Sequence, residues 1–192
     1  MKNLIRVGAA GTAMVIAMGL SPAAMAAATA NSNATVEILK PIQLENISGL
    51  DFGAIAVNTA GTIALSTDNV ANCTGGIVCT GTTQISEFRV FNGTAGKTVT
   101  ITMPNNLDLV STAAVNPASP TAAEKVELSN FTTNAASRSV TVNGNTATVR
   151  EVTLSNNAAA EANFKLGGTL NFDGSEAAGT YNGTFGVTVE YS

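Results

Sequence analysis

From about residue 35 onward, apolar and polar side chains alternate with a period of two, and the helical period of 3.6 is nearly absent. Thr180–Tyr191 is the clearest case. Tyr181, Gly183, Phe185, Val187, Val189 and Tyr191 fall on one face of an extended chain, and Thr180, Asn182, Thr184, Gly186, Thr188 and Glu190 on the other. That spacing predicts a strand with one buried and one solvated face. The same alternation runs through Val99, Ile101 and Met103, through Val140 and Val142, and through Phe164, Leu166, Gly168, Leu170 and Phe172. Further strands are predicted over 35–46, 52–57, 62–66, 84–91, 125–132 and 147–154. Asn92-Gly93, Asn143-Gly144, Asp173-Gly174 and Asn182-Gly183 punctuate them as turns. The stretch Leu109–Glu124, with Pro117 and Pro120 among Ala and Ser, is the longest predicted loop, and Ala158–Ala162 reads as a connection. Many short strands without a long helix predict an all-β fold, an antiparallel immunoglobulin-like β-sandwich over 27–192 as one domain.

The N-terminus departs from this pattern. Lys2 and Arg6 precede the uncharged, mostly apolar stretch Val7–Leu20, Pro22 ends it, and Ala24-Met25-Ala26 offers small residues at the spacing a signal peptidase reads. Residues 1–26 therefore read as a cleaved signal peptide, with cleavage between Ala26 and Ala27, and the apolar stretch is short for a membrane-spanning helix. No later run reaches the length of a membrane span. The expected location is outside the cytoplasm: periplasmic, cell-surface or extracellular.

Removing that segment changes the composition. Residues 27–192 keep all 13 acidic residues and 7 of the 9 basic ones, a net charge of 7 − 13 = −6, and Leu, Ile, Val and Phe supply 40 of the 166. The apolar content suffices for a folded core, and the scattered basic residues give no footprint for nucleic acid. With no His in the chain, Ser-His-Asp and Cys-His catalysis and a His-ligated zinc are excluded. An enzyme would have to work with carboxylates alone, and none of the 13 acids lies in a motif, so neither a catalytic residue nor a cofactor is expected. The two cysteines, Cys73 and Cys79, lie six positions apart, which in an oxidising compartment predicts a disulfide closing a short loop. Loop-closure entropy for so small a ring is worth roughly 2 kcal/mol.

Two blocks carry a resemblance. Leu50-Asp-Phe-Gly-Ala-Ile-Ala-Val57, following Val36–Leu44, and the long ending Gly167–Tyr191 look like the signatures of a family of exported bacterial β-domains of unknown function. The ending Ala178-Gly-Thr-Tyr181 before an alternating strand is also similar to spore-coat-U-type and chaperone–usher pilin subunits. In those, a Gly fourteen residues from the end and a penultimate aromatic mark the strand that a periplasmic chaperone holds, and Gly179 and Tyr191 occupy these positions. The resemblance implies a pilin-like assembly strand made of Gly179, Tyr181, Phe185, Val187, Val189 and Tyr191. Those pilins link two distant strands by a disulfide, whereas Cys73 and Cys79 are near neighbours.

The mature N-terminus alternates too, with Ala28, Ala30, Ser32, Ala34, Val36 and Ile38 on one face and Thr29, Asn31, Asn33, Thr35 and Glu37 on the other. Such a segment can add as a strand to the open sheet edge of a neighbour, backbone bonds giving affinity and small side chains filling a groove. The competing expectation is that Ala34–Ile47 is the domain's own first strand, with 27–33 a frayed end. Expected functions are a fimbrial or surface-assembly subunit, partnered by its own copies or an assembly chaperone, and alternatively an adhesin or ligand-binding module. The absence of Trp and the two Tyr confined to the last strand pattern disfavour sugar stacking.

Overall fold

A computed structural model describes residues 28–192; the proposed signal segment and both residues of its cleavage point, Ala26 and Ala27, lie outside the described residues. Residues 28–37 carry no regular secondary structure, and their side chains are exposed. No helix among the described residues is long and apolar enough to cross a membrane.

Residues 38–192 form twelve strands: β1 Gln43–Ser48, β2 Ala54–Leu65, β3 Ala71–Thr80, β4 Ser86–Phe91, β5 Thr98–Thr102, β6 Leu107–Ser111, β7 Lys125–Thr133, β8 Ala136–Val142, β9 Asn145–Thr153, β10 Ala162–Phe172, β11 Tyr181–Asn182 and β12 Thr188–Tyr191. A single 3-10 turn, Ala122–Glu124, precedes β7. All strand pairs are antiparallel. The larger sheet runs β1-β4-β10-β7-β6-β11, with β2 also paired to β10 and β3 to β2; the smaller runs β12-β5-β9-β8.

β10 is the hub of the larger sheet. Its first half, Ala162–Leu166, pairs with β4, and its second half, Gly168–Phe172, with β2. Residues Leu166–Asn171 pair on the other side with β7. The period-two pattern places Phe164, Leu166 and Leu170 in the interior, each 4% exposed or less. Gly167 is glycine because a Cβ there would run into the Leu65 carbonyl of β2.

Two apolar clusters result. The first joins the sheets through Phe88, Val90, Val99, Ile101, Leu154, Phe164 and Leu166, with Phe88 and Phe164 stacked at 5.3 Å. The second gathers Phe52, Ile63, Leu65, Val126, Leu128 and Leu170 at the other end of the larger sheet. Half-buried Phe185 packs against both. The expected antiparallel β-sandwich is therefore what the chain forms.

Several boundaries differ from the sequence reading. The strand expected over 35–46 begins only at Gln43, so Ala34–Ile42 is not part of a first strand. Lys40 is instead fixed by side-chain bonds: its N–H donates to Thr94 Oγ1 at 2.8 Å and its carbonyl accepts from the Tyr191 hydroxyl at 2.7 Å. The strands expected over 52–57 and 62–66 merge into one, β2, which covers only Ala54–Leu65 and is bent in its middle. The Cys73–Cys79 segment is no loop; both cysteines lie within β3. The predicted loop Leu109–Glu124 loses Leu109–Ser111 to β6, which pairs with β7 and β11. Its remainder is organised by Glu124, whose carboxylate accepts from the N–H groups of Val115 and Thr121. Finally, 180–191 is not one strand. Tyr181–Asn182 pairs with β6 in the larger sheet, and after an unpaired crossing Thr188–Tyr191 pairs with β5 in the smaller. Gly183 sits where the chain leaves β11, and a side chain there would press on Leu107 and Leu109.

Candidate functional site

A groove of about 1000 Å³ lies at the second cluster. Leu109, Val126, Leu170 and Phe172 line it from the larger sheet, Gly49–Val57 from one side and Glu176–Asn182 from the other. Sequence chemistry explains both sides. Gly53 (φ +72°) and the N–H···Oδ1 bond from Gly53 to Asp51 turn the chain after its two-way bridge between Asp51 and Gln84. On the other side, the Asp173–Glu176 turn is tied by Glu176 accepting from the N–H groups of Asp173 and Gly174, and by Asp173 accepting from that of Ser175.

Neither side is closed by a second strand. Ala54–Val57 pairs with β3 along one edge only, because the pairing of β2 with β10 starts at Gly61. Tyr181–Asn182 pairs with β6 along one edge only. The groove therefore lies between two strand edges whose outward backbone groups have no strand partner among the described residues, over an apolar floor. An extended peptide satisfies both demands at once, filling the groove with side chains and bonding backbone to backbone.

The titratable groups nearby are occupied with structure. The Tyr181 hydroxyl lies 2.6 Å from the Ala177 carbonyl oxygen and 2.9 Å from that of Ala123, donating its one proton there. Burial first, and then the charge of Glu176, hold this phenol above its ordinary pKa. Asp51 and Glu176 both accept backbone N–H bonds, as described above. Among the described residues no group of three His, Cys, Asp or Glu side chains is placed to hold a metal.

The C-terminal residues singled out from the sequence follow one continuous track. Gly179 and Tyr181 line the groove, Phe185 spans the two clusters, and Val187, Val189 and Tyr191 pack half-buried on the first. β12 is the outermost strand of its sheet, paired only with β5. The Tyr191 hydroxyl accepts from the Thr94 N–H at 2.8 Å and donates to Lys40, which pins the end of this track beside the start of the domain. The predicted N-terminal strand residues Ala28, Ala30, Ser32, Ala34 and Val36 lie in the exposed segment, as does Ile38 just after it; Val36 and Ile38 are 86% and 87% exposed. Cys73 and Cys79 form the predicted disulfide.

Sequence reasoning missed the floor and one side of the groove as functional parts. Leu170 and Phe172 were legible as inward-facing, and Leu50–Val57 as a signature, but nothing in either pattern shows that they face each other across open space. Leu109 lay in a predicted loop.

No curated protein and no solved structure matches the chain. A family model described as a domain of unknown function, DUF4402, matches residues 42–191, which takes in all twelve strands and both sides of the groove, and the chain belongs to that family.

Proposed function

We propose that this protein is an exported structural subunit that assembles with copies of itself by strand addition, in the manner of the pilin subunits its C-terminus resembles. The observation that supports this reading is an exposed, alternating segment in the same chain as a groove flanked by unpartnered strand edges. The donor is the alternating segment 28–38, eleven residues able to span about 36 Å when extended, with two large apolar side chains held in water. Solvating Val36 and Ile38 is unfavourable by roughly 1.5–3 kcal/mol each relative to burial. The acceptor is the track 179–191, which first lines a groove with an apolar floor and then forms the outermost strand of the smaller sheet. Seating the segment of one copy in the groove of the next is a head-to-tail contact, which does not close on itself and propagates as a filament.

The test is a deletion of residues 28–38 that leaves 1–27 intact. The exported protein is expected to keep its far-UV spectrum, lose the heat-sensitive ladder on gels, and leave producing cells without thin filaments in electron micrographs. Ladders and filaments formed by the shortened chain would sink the proposal.

A further inference from the structure

The disulfide lies in an unusual place, within one strand. Cys73 and Cys79 are six residues apart on β3. In a straight strand their Cα atoms would be about 20 Å apart, yet they are 6.3 Å apart. β3 doubles back between them, and β2 bends with it.

The pairing shows where. Gly61–Leu65 pairs with Ala71–Gly75 and, on its other edge, with β10, so this inner half of the ribbon belongs to the larger sheet. Ala54–Val57 pairs with Ile77–Thr80 and with no other strand, so the outer half stands out of the sheet. At the corner three residues of β2, 58–60, face the single Gly76 of β3. Gly75 adopts φ +68°, and a Cβ on it would lie 2.8 Å from the Gly61 Cα. Gly174, at φ +90°, packs against the corner, where a Cβ would come 3.0 Å from the Ala60 nitrogen. The outer half carries Ala54–Val57, one side of the groove. Besides the disulfide, half-buried Ile55 packs it on the second cluster, and Ile77 is buried (6% exposed) beside Gly61.

We infer that the Cys73–Cys79 disulfide is a strap that folds the outer half of the β2–β3 ribbon into place as a groove wall, so that the groove is complete only in the oxidised protein. The inference rests on the assembly reading for its consequence: a chain still carrying two thiols has a half-built acceptor, and becomes competent to assemble only when an exporting compartment oxidises it. The chemistry is ordinary thiol–disulfide exchange. A dithiol reductant, itself oxidised to a disulfide, gives two electrons and two protons, the Sγ–Sγ bond breaks and two thiols form; a disulfide oxidant reverses this, taking the two electrons and two protons.

Two measurements on the same preparation test it. The first is amide hydrogen exchange of the folded protein, with and without dithiothreitol, and of the Cys73→Ser/Cys79→Ser variant made with its signal segment intact. Amides of Ala54–Val57 and Ile77–Thr80 are expected to exchange at least tenfold faster in the reduced and double-serine forms, while those of β4, β5, β7 and β10 keep their rates. Unchanged exchange in the outer half would overturn the strap, and so would loss of protection throughout both sheets, which would make the disulfide a staple of the whole fold. The second is binding of a fluorescent synthetic peptide with the sequence of residues 28–38. The oxidised protein is expected to bind it at least tenfold more tightly than the reduced one. Equal binding by both forms would overturn the gating while leaving the assembly reading intact. Failure of the oxidised protein to bind would count against the assembly reading alone, since the exchange data decide on the strap without the peptide.

Discussion

Tyr191 shows how much of the design rests on single atoms. Its ring packs on the first cluster while its hydroxyl serves two backbone groups, the Thr94 N–H and the Lys40 carbonyl, 97 and 151 residues away in sequence. Tyr191→Phe keeps the ring and removes the hydroxyl. It is expected to destabilise by about 1 kcal/mol, read as a lower urea midpoint at unchanged slope, and to loosen the chain before β1 rather than the core. Carboxylates act at the same scale. Backbone bonds from Thr121 and then Val115 hold Glu124 below its ordinary pKa, Arg138 does the same for Glu151, and bonds from Ser175 do so for Asp173. A carboxylate with a lower pKa folded than unfolded stabilises fully above its unfolded value and loses that contribution as pH falls through the folded one. Stability is therefore expected to be level near neutrality and to fall as pH drops below about 4.5, the ordinary value for Glu. Glu124→Gln should give a shallower fall, checked by urea midpoints between pH 7 and pH 3.

At the scale of the element, the bent β2–β3 ribbon depends on glycine where the backbone allows nothing else. Gly75→Ala places a Cβ against the Ala60 carbonyl and Gly61 at a left-handed φ, and is expected to cost more than about 1 kcal/mol while raising exchange in the outer half of the ribbon. Gly144→Ala makes a useful contrast: it too has positive φ, yet open space surrounds it, so only backbone strain is felt. The Asn143-Gly144 turn was legible in the sequence because both residues take left-handed angles between β8 and β9, as a two-residue hairpin demands. β10 and the inward residues of the C-terminus were equally legible, since their periodicity is set by burial on one face. The bend in β2–β3 was not. Cys73-Thr-Gly-Gly-Ile-Val-Cys79 looks like a loop because glycines and a short Cys spacing usually mark one, and only the pairing with β2 makes it strand. The split of 180–191 was hidden for a related reason: alternation continues unbroken while the chain changes sheets, because both sheets face the same interior.

For the molecule as a whole, the two apolar clusters meet at Phe185 on the crossing between β11 and β12. The ring lies 5.1 Å from that of Phe131, tilted by 56°. Phe185→Ala removes the one half-buried aromatic that both clusters share among the described residues. The loss is expected at the low end of the roughly 3–5 kcal/mol typical of Phe truncation. It should also separate the melting of the smaller sheet from that of the β2–β3 end, seen as non-coincident transitions by different probes. A variant that still unfolds in one coincident step would show that β10 alone couples the two ends.

The position of β10 in the chain has a consequence for how the protein is made. A polypeptide emerges N-terminus first, and β10, the strand that joins β4, β2 and β7, begins only at Ala162. Until then β4 and the β2–β3 ribbon have no common neighbour, and β5 waits still longer for β12 at the very end. Nearly all of the chain must be through before the larger sheet can close. Such a topology folds in milliseconds to seconds rather than microseconds, and in that interval strands rich in Val, Ile and Thr stand with bare edges at risk of pairing with the wrong molecule. The moment of greatest vulnerability thus precedes maturity, while the first strands wait for the last.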